Sequence, residues 1–178
     1  EAAGARHGIS FKWQEFPWSC DWYVQHGKMC PDDAPQILRQ FDAIYFGAAG
    51  NPAIVPDHIS AWGLLINFRR WFDLYVNLRP VRLFEGLPCP LAGRKPGDID
   101  YYVIRENTED LYSGVEFSPV PDELARTLTA ISKPFAPFSK LDGDDYAVSC
   151  KINTRKGSLR IVRAAYEFAR KFGRKKVT

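Results

Sequence analysis

Arg69, Arg79, Arg105 and Tyr112 share one stretch of the chain, each where a plain core would place an apolar side chain. Read as a helix, Ala61 to Tyr75 carries an apolar stripe through Trp62, Leu65, Ile66 and Phe72, and Arg69 falls three or four residues from the last three of these. The pattern predicts a guanidinium on the inward face. Arg79 lies in the strand-like run VNLRPVRLF. Arg105 ends the apolar run IDYYVI just ahead of Glu106 and Asn107, and Tyr112 follows in ENTEDLY. A guanidinium stays charged at any working pH and offers a planar fork of donors, so several of them converging from different elements suit a small molecule with two or more carboxylates. The implied ligand is a di- or tricarboxylate.

Each of these residues also has a plainer reading. Arg69 can pair with Asp73 at i+4, a surface contact of about 0.3–0.5 kcal/mol. Arg79 can pair with Glu85 or Glu106, and Arg105 with Glu109. Tyr112 alone reads as a core tyrosine with its hydroxyl at the surface. The set and its spacing carry the inference. Arg70, Arg82 and His58 take no role, and Asp142, Asp144 and Asp145, which flank a glycine, read as turn residues.

The elements that must position these groups follow from periodicity and punctuation. EAAGARHG reads as the end of a helix closed by Gly8, and Ile9 to Phe16 alternates as a strand stopped by Pro17. Cys20 to Gly27 predicts a short helix, and Pro31 to Gln40 another with acidic residues near its start. Phe41 to Phe46 predicts a short strand leading into Gly47, Ala48, Ala49, Gly50, Asn51 and Pro52. In α/β sheets ligands gather beyond strand ends, so this loop of small residues is either a close approach for a dinucleotide or a tight turn. Asp57 is the expected N-cap of the central helix. Ile99 to Ile104 reads as a buried strand. The stretch 113–145, broken by Pro119, Pro121, Pro134 and Pro137, shows no helical or strand period and reads as an interaction arm. Tyr146 to Ile152 predicts a strand. Thr154 caps a helix whose stripe is Leu159, Val162, Tyr166, Ala169 and Phe172. Strands alternating with helices give an α/β class.

The composition, 46% hydrophobic and 25% charged in 178 residues, is that of a folded chain rather than a disordered one. A net charge of +3 with scattered basic residues speaks against a nucleic-acid partner. The four cysteines show no metal-ligand spacing, and no apolar run is long enough to span a membrane. The expected compartment is the cytoplasm.

The run from LLINFRRWFDLYVNLRP to YYVIRENTEDLYSG resembles the isocitrate/isopropylmalate dehydrogenase family of metal-dependent β-decarboxylating dehydrogenases. SCDWYVQHGKMCPDD, FDAIYFGAAGNP and VPDHISAWGLL resemble its tartrate/D-malate branch, whereas DLYSGVEF is closer to the isocitrate branch. The resemblance implies that family's fold in part: parallel-sheet βα units with a dimer-clasp arm. Residues 1–84 would belong to the large dinucleotide-binding domain and 85–178 to the small domain, with the arm at 113–145. It implies oxidative decarboxylation of a small 2-hydroxy dicarboxylate, D-malate or tartrate, by a homodimer using NAD and Mg2+ or Mn2+. Isocitrate or 3-isopropylmalate is the alternative substrate, and a non-catalytic regulatory relative or a dimerising fragment is a further one.

By the same resemblance Arg69, Arg79 and Arg105 bind substrate and Tyr112 is the catalytic acid. The cofactor lies against Gly47, Gly50, Asn51 and Pro52. The general-base lysine and the metal-binding aspartates would lie beyond Lys175–Thr178, so this chain supplies no metal ligand and is expected to be inactive alone. Isocitrate-type members carry a serine and an asparagine where this sequence has Gly63 and Leu65, which argues for a substrate without a third carboxylate.

Overall fold

Glycine closes the first two helices. α1 (Ala2–His7) ends at Gly8 and α2 (Cys20–His26) at Gly27, with φ of 66° and 72°, the left-handed conformation that glycine enters without a Cβ penalty. The Ser19 hydroxyl caps α2 by accepting from the Asp21 N–H. The computed structural model describes residues 1–178, which form two units, Glu1–Phe72 and Asp73–Thr178.

The first unit is helical. After α3 (Ala34–Leu38) comes one continuous helical rod: α4 (Asp57–Ser60), a π-helical segment Ala61–Leu65, and α5 (Ile66–Trp71). The Ile66 N–H reaches back five residues to the Ala61 carbonyl, the signature of a π turn. Trp18, Cys20, Met29, Ala34, Leu38, Val55, Leu64 and Phe68 form the core between the rod and the preceding segments. Gly63 is fixed as glycine by this packing, because a Cβ there would stand 2.7 Å from Met29 Cγ.

Several expectations are corrected here. Neither Ile9–Phe16 nor Phe41–Phe46 forms a strand, since no other segment pairs with either and an unpaired strand has no ladder to hold it. Pro56 rather than Asp57 is the N-cap, and the rod stops at Trp71 instead of Tyr75 because Asp73 takes φ 46°. Leu64, Ile66 and Phe68 are buried, so of the stripe read at Trp62, Leu65, Ile66 and Phe72 only Ile66 reaches the interior, the other three being half-buried. The extra residue in the π turn rotates everything after it about the axis, which a uniform 3.6-residue period does not anticipate.

The second unit is built on a hairpin. β1 (Val76–Arg82) pairs antiparallel with β2 (Asp100–Glu106), Asn77 opposite Arg105 and Arg79 opposite Val103. One face carries Asp100, Tyr102, Ile104 and Glu106, and α7 (Arg155–Lys171) covers it. Tyr102 meets Phe168 with ring centroids 4.8 Å apart, and Arg160 and Arg174 pair with Glu106 and Asp100. The other face carries Asn77, Arg79, Val103 and Arg105. β2 is therefore not the buried strand expected, with Tyr101 and Val103 52% and 42% exposed.

The arm is more regular than its prolines suggest. β3 (Glu116–Phe117) pairs antiparallel with β4 (Val148–Ser149), all that forms of the strand expected over 146–152 apart from a bridge between Asp110 and Ile152. Between them lie α6 (Asp122–Ile131) and three short 3-10 turns. Both sheets present are antiparallel, where parallel pairing was expected. α7 starts at the expected cap, with the Thr154 hydroxyl accepting from the Gly157 N–H at 2.9 Å. Of its predicted stripe only Ala169 is buried, while Leu159, Val162, Tyr166 and Phe172 are more than half exposed, and the hairpin is met through Arg160 and Phe168. No helix is long and apolar enough to cross a membrane.

Candidate functional site

The hairpin register builds the site. Arg105 lies opposite Asn77, and Arg79 is two residues from Asn77 on the same strand, so both arginines project from one face as diagonal neighbours. Arg105 is half-buried and Arg79 exposed. Tyr112 comes to this pair from the 3-10 turn Leu111–Ser113. The Arg105 Nη1 donates to the Tyr112 hydroxyl oxygen at 2.8 Å, and its guanidinium lies 4.5 Å from the ring centroid. Hydrogen bond and cation–π contact together fix the tyrosine against the arginine.

The turn that returns Tyr112 to Arg105 is held by a polar frame. Asp110 takes φ 62°, a conformation unusual for a residue other than glycine, and its N–H donates to the Ile152 carbonyl at 2.9 Å. Glu106 accepts from the Thr108 hydroxyl and N–H and from the Glu109 N–H at 2.7–2.8 Å. Arg160 bridges Glu106 at 3.0 Å, Thr108 at 2.6 Å and both oxygens of Asp73, and stacks 4.4 Å over Tyr75. Burial alone would push the Glu106 carboxyl up. The donors from Thr108, Glu109 and Arg160 outweigh that and hold it down at about 2.

Asp73 pairs with Arg160. Two of the plainer readings are excluded: Glu106 pairs with Arg160 and not with Arg79, and Glu109 binds Thr154 and not Arg105. Arg79 instead donates from Nε to Asn77 Oδ1 at 3.2 Å. Asn77 carried no expectation and Asn107 was named only as following Arg105, so the available signal was an asparagine two residues from an arginine.

Arg69 lies in the first unit, half-buried on α5. Its neighbour Arg70 is exposed and stacks 5.0 Å from the Trp62 ring. The loop of Gly47, Gly50, Asn51 and Pro52 is also in the first unit. Its hydrogen bonds run from the Asn51 N–H to Cys20 Sγ at 3.1 Å, and from the Ala53 N–H to Asn51 Oδ1 at 3.2 Å. Neither glycine has a positive φ. A Cβ at Gly47 would meet nothing within 4 Å, and one at Gly50 only Ser60 Oγ at 3.6 Å. The fold itself thus demands glycine at neither position, and the loop is open enough for a flat ligand to lie against its backbone. No group of three or more His, Cys, Asp or Glu is placed to hold a metal ion.

Chemically, the hairpin face offers two fixed cations with forked donors beside a phenol. That set can hold a dicarboxylate and deliver a proton next to it.

The family model for isocitrate/isopropylmalate dehydrogenase matches residues 1–178. The chain is 48% identical to tartrate dehydrogenase/decarboxylase of Pseudomonas putida and 46% identical to D-malate dehydrogenase [decarboxylating] of Escherichia coli, each match covering 100% of this chain and 44% of that protein. It therefore spans less than half the length of these curated relatives. Among solved structures it resembles isocitrate dehydrogenase from Methylococcus capsulatus, with a TM-score of 0.60 and 25% identity over 94% of this chain and 41% of that one. It also resembles the TT0538 protein from Thermus thermophilus, with a TM-score of 0.61 and 27% identity over 94% of this chain and 28% of that one. On a match over its whole length, the chain belongs to the isocitrate/isopropylmalate dehydrogenase family.

Proposed function

We propose that these residues are part of an enzyme that oxidises and decarboxylates a small 2-hydroxy dicarboxylate, D-malate or tartrate, with NAD and Mg2+ or Mn2+. The observation that supports it most directly is the Arg105–Tyr112 pair on the same hairpin face as Arg79. The names of the two relatives, tartrate dehydrogenase/decarboxylase and D-malate dehydrogenase [decarboxylating], point to the same substrates.

Arg79 and Arg105 bind the two carboxylates, with Arg69 as a third clamp, and so hold the hydroxyl-bearing carbon in one orientation. One carboxylate leaves as carbon dioxide, so the arginine holding it orients substrate up to that step, whereas the arginine on the retained carboxylate orients it throughout. A guanidinium can only donate, so in the Arg105–Tyr112 contact the phenolic oxygen is the acceptor. Tyr112 then protonates the enol carbon left when carbon dioxide departs. Gly47, Gly50, Asn51 and Pro52 hold NAD, which supplies the hydride acceptor when bound. The arm 113–145 makes a homodimer contact, a reading supported by Ile131, Phe138 and Leu141, which are 48–75% exposed there.

The test is reduction of NAD, followed by the appearance of the reduced nicotinamide, with D-malate or tartrate and Mg2+ or Mn2+ in the enzyme containing these residues. Reduction with D-malate or tartrate by the unaltered enzyme, lost in Arg105→Ala and slowed only after the first turnover in Tyr112→Phe, supports the reading. No reduction by the unaltered enzyme with any 2-hydroxy dicarboxylate overturns it.

A further inference from the structure

We infer that Asn77 and Asn107 are positioning residues that set the direction of the Arg79 guanidinium, an inference that rests on the reading of Arg79 as a carboxylate clamp. Arg79 Nε donates to Asn77 Oδ1 at 3.2 Å. Asn77 Nδ2 donates to Asn107 Oδ1 at 3.2 Å, and Asn107 Nδ2 donates to the Leu74 carbonyl at 3.1 Å. The relay begins at a group that can only donate and ends at one that can only accept. Each amide between them therefore has a single orientation compatible with all three bonds.

Asn107 anchors the relay, because it is 6% exposed and sits in the frame of Glu106 and Thr108. Asn77 is the transmitting member, half-buried on β1 directly opposite Arg105. Arg79 is the exposed end. An exposed arginine on a strand samples many rotamers, and fixing it costs side-chain entropy each time a ligand binds. The bond from Nε to Asn77 removes part of that freedom beforehand. It also occupies the side edge of the guanidinium, which leaves the end-on fork of the two Nη groups to meet a carboxylate in a bidentate pair.

The experiment is a set of double-mutant cycles on kcat and KM for D-malate in the enzyme containing these residues. Asn77→Ala and Asn107→Ala are each expected to raise KM by about three- to tenfold with a smaller change in kcat, the pattern of lost preorganised binding. In an Arg79→Ala background neither should raise KM further, whereas in an Arg105→Ala background their effects should multiply. Asn107→Asp, which keeps shape but turns an acceptor on the Leu74 carbonyl, should behave as Asn107→Ala.

Effects that multiply with Arg79→Ala as fully as with Arg105→Ala would overturn the relay and leave a structural role only. An Arg79→Ala variant with unchanged KM would overturn the clamp reading itself, and the relay with it. Should Asn107→Ala fail to fold, the less buried Asn77→Ala completes the same cycle.

Discussion

Glu109 reaches the first turn of α7, where its carboxylate accepts from the Thr154 N–H at 2.8 Å and from the Thr154 hydroxyl at 2.6 Å. A negative charge there complements the positive end of the helix dipole and joins the loop after β2 to a helix far along the chain. Gly157 lies beneath it, and a Cβ at that position would run into both carboxylate oxygens. Gly157→Ala is expected to push the Glu109 carboxylate off Thr154 and so to lose about 1–3 kcal/mol of charged hydrogen bonding, partly offset by the better helix propensity of alanine. Urea denaturation should show most of that loss vanishing when Gly157→Ala is made in a Glu109→Ala background, because the two changes share one contact. Equal losses in both backgrounds would refute the packing account.

Glu106 predicts an acid-side loss of stability. Its folded pKa is about 2 against an ordinary 4.5, so the folded state binds fewer protons than the unfolded one across that interval. The stabilisation is complete above pH 4.5 and is lost as pH falls toward 2. In Glu106→Gln the acid limb of unfolding free energy against pH should flatten. The variant should also lose about 1.5–3 kcal/mol at neutral pH, the usual range for hydrogen bonds to a charged group.

How much of this was legible in the sequence depends on how local each signal is. The caps at Gly8 and Thr154 are read within one turn of chain, and both stand. Strands at Ile9–Phe16 and Phe41–Phe46 have the right alternation or apolar run but no pairing partner, and pairing is not a local property. α6 was missed because prolines on both sides drew attention from Leu124 and Leu128, four residues apart. α7 is apolar on two sides, and composition does not say which side meets the hairpin. At the site, the arginine and tyrosine set was visible from charge and spacing. The partners of Glu106, Glu109 and Asp73 were not, since Arg160 and Thr154 are distant in sequence.

Arg105→Ala removes both a clamp and the partner of the Tyr112 hydroxyl. The expected loss in kcat/KM on D-malate is at least about a hundredfold, near 3 kcal/mol. Arg70→Ala, which removes a stacking contact on Trp62, should leave kcat/KM within about twofold. Equal effects of the two substitutions would show that the hairpin face is not the substrate site.

Tyr112→Phe separates the two halves of the proposed reaction. Hydride transfer needs the arginines, whereas protonation of the enol needs the phenolic proton. The variant should therefore retain substrate binding while slowing the steps after oxidation by about 10²–10⁴-fold, the usual range for general acid catalysis. Single-turnover measurements starting from the keto acid would detect it. An unaltered rate of decarboxylation and protonation would remove Tyr112 from the acid role.

Substrate length is the final prediction, and it turns on Gly63. Where isocitrate-type members place a serine to hold a third carboxylate, this chain has a glycine pressed against the buried Met29. Gly63→Ser would bring a Cβ to 2.7 Å from Met29 Cγ, so the hydroxyl cannot be added without moving the core. Nor does the second position help. Leu65 offers no donor, and Ile66 beside it is 5% exposed and belongs to the interior. A third carboxylate would lose its water without gaining hydrogen bonds there, which is unfavourable. D-Malate and tartrate avoid that penalty, and the isocitrate-like DLYSGVEF leads into the arm beyond Tyr112 rather than to α5. Comparing kcat/KM on D-malate, tartrate, isocitrate and 3-isopropylmalate should place one of the first two highest. A tenfold or greater preference for isocitrate, about 1.4 kcal/mol of discrimination, would overturn the assignment. Gly63→Ser should lower stability by about 1–3 kcal/mol without raising activity on isocitrate. A gain of isocitrate activity at undiminished stability would mean that Met29 yields and that Gly63 is a specificity residue rather than a packing one.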